Sequence, residues 1–261
     1  MKRTTSIVLA AAIALSMTAC TALDSILGFN LFTGLAAVSE SDIQEANVAE
    51  LKDLSGSPSF YDTIAEDDAL KVAVLLTINE ERAVLATDTA DYQELTLLAA
   101  QIELQTTPAG ELVNNIGGIF DDVAAGTLGT DIGFIMEQIL PVSVFSVGTI
   151  TDEAAFVAMI DALVAADLYY SDLGGSLVDG AYAADSAIVP GDVAQSAIVA
   201  AMVGNLVPPA GYTTGEYLID LINEVPGTPE ITFDMDAVLT DPSLVNILTA
   251  AGMGSLTTTT P

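Results

Sequence analysis

Thr151-Asp152-Glu153-Ala154-Ala155-Phe156-Val157-Ala158-Met159-Ile160-Asp161-Ala162-Leu163-Val164-Ala165-Ala166-Asp167-Leu168-Tyr169-Tyr170 decides the fold class. Asp152 has the short acceptor side chain that satisfies free N–H groups at a helix start, and Glu153 adds negative charge where the helix dipole favours it. Behind them Phe156, Met159, Ile160, Leu163 and Val164 recur at helical spacing. The pattern predicts a helix over 152–170, with Gly174-Gly175 beyond its end.

The same period recurs outward from this stretch. Leu95, Leu98, Ala99 and Ile102 form one stripe, and Leu218, Leu221, Ile222 and Val225 another. Asp241-Pro242 reads as a cap followed by proline at the first helical position, ahead of Leu244, Val245, Ile247 and Leu248. Further helices are predicted over 43–54, 62–86, 90–106, 109–125, 131–145, 176–187, 190–206, 214–225 and 235–251. Alternation with period two is scarce, and Val142 to Ile150 reads as a short strand or an extended link. The expectation is an all-α fold of stacked antiparallel helical hairpins in one compact domain, 41–254, with a disordered tail over 255–261.

Within 152–190, Tyr169-Tyr170 on one predicted helix, Tyr182 on the next and a break at Pro190 resemble a tetratricopeptide-type hairpin. That resemblance implies aromatic packing between two helices and a helical-repeat style of stacking. No second copy recurs at a period of about 34 residues.

Five Lys and Arg stand against 36 Asp and Glu, and charged residues make up 16% of the chain. Ordinary soluble proteins carry roughly 25%, so the imbalance comes from missing bases. No Lys, Arg or His follows Arg82. Nucleic acid needs clustered cations, so it is excluded as a partner, as is an anionic lipid surface for the body. An acidic, base-poor chain is also what a saline habitat selects.

Zero histidine and a single cysteine narrow the chemistry further. Serine or cysteine nucleophiles normally need a neighbouring base, and common zinc sites need Cys and His. Carboxylate chemistry survives, as an acid and base pair or as oxygen ligands for calcium or magnesium. Asp234, Asp236 and Asp241 begin like a calcium loop, but Val238, Leu239 and Val245 occupy its required positions. Glu66-Asp67-Asp68 and Asp121-Asp122 read as helix surface or first-turn charge. No catalytic, cofactor-binding or metal-ligating residue is predicted.

Arg82 falls four residues after Ile78 on the stripe Leu70, Val74, Ile78 and Leu85, so it points toward the packed side. A buried unpaired charge costs several kcal/mol, and Asp167, one turn beyond Leu163 and Val164, is the expected partner in a buried ion pair. A ligand carboxylate is the alternative partner.

At the N-terminus, Lys2-Arg3, an apolar run over Ile7–Leu15 and Ser16-Met17-Thr18-Ala19 precede Cys20. The run is too short for a membrane span, which needs about 20 residues. Met17-Thr18-Ala19-Cys20 resembles the lipobox of bacterial lipoproteins. The resemblance implies a signal peptide over 1–19 and diacylglycerol with a further acyl chain such as palmitate on Cys20. Thr21 in place of aspartate implies an outer-membrane address, facing the periplasm. An apolar connecting segment over 20–40 follows, with Leu23, Ile26, Leu27, Phe29, Leu31, Phe32 and Leu35. It is expected to dock on the body or lie in the bilayer interface.

Hydrophobic residues make up 51% of the chain, which points to an apolar surface in use. Ala194, Ala197, Ala200, Ala201 and Gly204 permit close helix approach. Together these features point to a lipid-anchored envelope protein that is not an enzyme and acts by binding, as a scaffold or accessory subunit. A carrier of a hydrophobic small molecule, or a carboxylate- or calcium-dependent enzyme, are the alternatives.

Overall fold

A computed structural model describes residues 38–116, 138–146, 148–223, 225–229 and 235–254. The leader with Cys20, the apolar segment up to residue 37, Asp121-Asp122 and the tail 255–261 lie outside the described residues.

The fold is all-α, with helices packed in one compact domain. Short helices come first: α1 Glu40–Glu45, α2 Val48–Leu54 and α3 Pro58–Ala65, then α4 Asp68–Arg82 and α5 Ala90–Gln105. A helix, α6, occupies 109–116. Strands β1 Phe145–Ser146 and β2 Thr149–Ile150 form a small antiparallel hairpin, so the stretch from Val142 to Ile150 is extended in part. There follow α7 Glu153–Ser176, α8 Pro190–Gly204, α9 Thr214–Ile222, α10 Met235–Leu239 and α11 Pro242–Ala250.

Local chemistry sets most of these starts. Asp152 accepts from the Ala155 N–H at 2.9 Å, and Asp241 accepts from Ser243 and Leu244 ahead of α11. Ser39, Asn47 and Thr213 each form a reciprocal capping box with the acid three residues on. Such caps also cut the predicted helices. The span 43–54 divides at Asn47, which caps α2, and 62–86 divides at Asp67, which accepts from Ala69 and Leu70 and so starts a new helix. The span 235–251 divides at Asp241 in the same way.

Two departures from the predicted elements have tertiary causes. Helix α7 runs through Gly174-Gly175 to Ser176, because Gly174 faces the backbone of α11. A Cβ there would lie 2.1 Å from the Ser243 carbonyl oxygen, and Asn246 donates to the Gly174 carbonyl at 3.0 Å. That glycine serves close approach and does not end the helix.

The predicted helix over 176–187 does not form. Asp179 and Gly180 take left-handed backbone angles, and Val178 pairs with Ala181. Side chains of α5 satisfy the irregular backbone: Gln93 donates to the Ser176 carbonyl and accepts from the Ala183 N–H at 2.8 Å, while Glu94 accepts from the Ala187 N–H at 2.7 Å. The tetratricopeptide-like second helix carrying Tyr182 is therefore replaced by a pinned loop.

The core divides in two across α5. Phe60, Ile64, Leu70, Val74 and Ile78 pack with Leu95, Leu98, Ala99 and Ile102 on one side. On the other, Ala100 and Leu104 join a larger cluster centred on α7, with Phe156, Met159, Leu163 and Leu173. A helix buried on two sides needs apolar residues around most of its circumference, and α5 has them. Helix α7 is apolar enough by length and composition to cross a membrane; here α5, α8, α9 and α11 pack on it. In α9 the buried side chains are Tyr217 and Ile219, while Leu218, Leu221 and Ile222 of the predicted stripe are half-buried and Val225 is exposed. Tyr217 donates to the Pro229 carbonyl at 2.9 Å.

Candidate functional site

Arg82 ends α4 pointing inward, 7% exposed, as its register requires. Its guanidinium is enclosed by the chain. Nε donates to Thr96 Oγ1 at 2.8 Å, Nη1 to Asn79 Oδ1 at 2.8 Å, and Nη2 to Tyr92 OH at 3.4 Å and Asp172 Oδ2 at 2.8 Å. The rings of Tyr92 and Tyr169 lie 5.1 and 5.2 Å from Cζ, within cation–π range. Asn79 also donates to Tyr169 OH at 3.0 Å. The shell is aromatic on its faces and polar on its edge, which suits a planar delocalised cation.

The partner expected from sequence, Asp167, is not the one found. Asp172 lies five residues further along α7, which turns its side chain by about 140° around the axis. It shares a face with Tyr169 and meets α4, whereas Asp167 faces α8 and α11. The stripe logic located the right helix but not the direction from which α4 approaches it. The nearby signal was Tyr169, three residues before Asp172 and so on the same face.

The other bases of the described residues are used in the same way. Lys52 on α2 pairs with Asp91 and Glu94 of α5, and Lys71 on α4 with Glu103 of α5 at 2.7 Å. Burial works to lower the Lys52 pKa, but hydrogen bonds and charge from Glu94 and Asp91 outweigh it and hold the ammonium above its ordinary value. Lys52, Lys71 and Arg82 thus all bridge between helices. No Lys or Arg among the described residues is left to receive an anion.

Asp167 lines a cavity of about 40 Å³ between α7, α8 and the start of α11, with Asn205, Asp241, Ser171 and Ser243. Its carboxylate lies against Gly204, where a Cβ would stand 2.2 Å from Oδ2. Gly204 ends α8, so the carboxylate meets the negative end of a helix dipole with no basic residue in that last turn. Burial pushes the Asp167 pKa up to about 6, and the charge of Asp241 adds to the shift. Such a group holds or releases a proton; with two carboxylates on one small cavity it binds water more readily than an organic ligand.

Among the described residues no three carboxylates converge as metal ligands. No known protein family, curated protein or solved structure matches the chain.

Proposed function

We propose that the chain is a lipid-anchored envelope protein, tethered to the outer membrane through Cys20, that acts by binding as a scaffold or accessory subunit of an envelope or transport complex. The observation that carries this reading is the use of the body's cations. Lys52, Lys71 and Arg82 are all spent in bridges that fasten α2 and α4 to α5 and α7. What remains outside is a helical body with carboxylates and aliphatic side chains such as Val72, Leu76 and Leu168 on its surface. That composition suits contact with a protein and repels nucleic acid.

The cavity beside Asp167, at about 40 Å³, is far below the roughly 300–1,000 Å³ of small-molecule sites. Its polar lining also weighs against a hydrophobic cargo there. The test is chemical cross-linking in intact cells with the native chain and with Cys20→Ser. The reading expects a discrete cross-linked species that depends on Cys20. It fails if the two chains give the same pattern of cross-links.

A further inference from the structure

Helix α4 is apolar on two opposite faces. Leu70, Val74 and Ile78 are buried, while Val72 and Leu76 are 64% and 57% exposed and stand beside exposed Ala69 and Ala73. Leu76 projects about 160° from Ile78 at 100° per residue. A helix apolar on both sides is normally covered on both, yet nothing among the described residues covers the outer one. An exposed acid closes the stripe at each end on the same side of the helix: Asp68 before it, about 40° around from Val72, and Glu80 after it, about 40° around from Leu76. Neither acid joins an ion pair among the described residues. With a rise of 1.5 Å per residue, Asp68 and Glu80 sit about 18 Å apart along the axis.

We propose that this outer face of α4 is the docking surface, and that its occupant is an amphipathic helix of a partner protein, apolar in the middle and carrying Lys or Arg at both ends. This rests on the binding role proposed above and names the chemistry of the partner. Charge complementarity selects the occupant. A second copy of α4 would set acids against acids, in either orientation. An anionic bilayer meets the same repulsion. The chain's own apolar segment 23–35 contains Asp24 and no Lys or Arg, so it leaves both acidic ends unanswered. Val72 and Leu76 supply the affinity, and the flanking acids fix the register and speed the encounter.

The test uses the full chain in phosphatidylcholine nanodiscs and a fluorescent 16-residue helical peptide of Leu and Ala with Lys at both ends, read by anisotropy. Empty nanodiscs and a peptide with Glu replacing Lys are the references. V72S/L76S alters only exposed side chains and is expected to weaken binding about 10-fold at both low and high salt. D68N/E80Q is expected to weaken binding at low salt and flatten its salt dependence, while Val207→Ser, at an exposed side chain outside α4, leaves it unchanged. Wild-type affinity in V72S/L76S overturns the proposal, because the contact is then diffuse charge attraction. Equal binding of the Glu peptide also overturns it. So does tighter binding of the Lys peptide on deleting residues 23–35, which makes that segment the occupant. None of these results touches the Cys20-dependent cross-link, so the face can fail while the binding role stands.

Discussion

Arg82 Nη2 donates to Asp172 Oδ2 across 2.8 Å, and this bond joins the last turn of α4, in one half of the core, to α7 at the centre of the other. The guanidinium is almost fully buried and the carboxylate is 56% exposed. Removing the cation also strands Thr96 and Asn79, which accept from it. Arg82→Ala is therefore expected to cost about 3 kcal/mol, measured by urea denaturation. Asp172→Asn, at the exposed side of the pair, is expected to cost about 1 kcal/mol or less. A larger loss from Asp172→Asn than from Arg82→Ala contradicts the assignment of the buried member.

Asp167 makes stability fall as pH rises. Its pKa is raised in the folded protein to about 6, from an ordinary value of 3.8. Between those values the folded state holds a proton that the unfolded state has released, so folding is favoured below this window and loses the advantage through it. The group is partly solvated, and screening brings the effect down to about 1–2 kcal/mol. Asp167→Asn is expected to be more stable than the native chain at pH 7 and to match it near pH 4. Parallel stability curves for the two proteins over this range contradict the reading.

Gly174 and Gly175 are neighbours in α7 with opposite surroundings. Gly174→Ala drives a methyl group into the Ser243 backbone and is expected to cost about 2–3 kcal/mol. Gly175 has open space where its Cβ would go, so Gly175→Ala is expected to stabilise by about 0.5–1 kcal/mol. Thermal melts of the two variants settle this, and equal effects contradict the close approach of α7 and α11.

What could be read from the sequence was local. Asp152 and Asp241 announced their helices because a cap needs only the residues that follow it, and the inward register of Arg82 follows from helical period alone. What could not be read was set from a distance. Gly174-Gly175 looks like a stop unless α11 is known to lie against it. Residues 176–187 look helical unless Gln93 and Glu94, some 90 positions earlier, are known to hold their backbone. Asp167 and Asp172 are both acids on α7, and only the direction from which α4 approaches distinguishes them.

The anchor on Cys20 is the claim from which the rest of the functional account follows, and intact-mass spectrometry of the chain extracted from membranes tests it most directly. The expected mass is that of a chain beginning at Cys20 and carrying diacylglycerol with a further acyl group. A chain that retains residues 1–19, or one cut nearby with an unmodified Cys20, contradicts it.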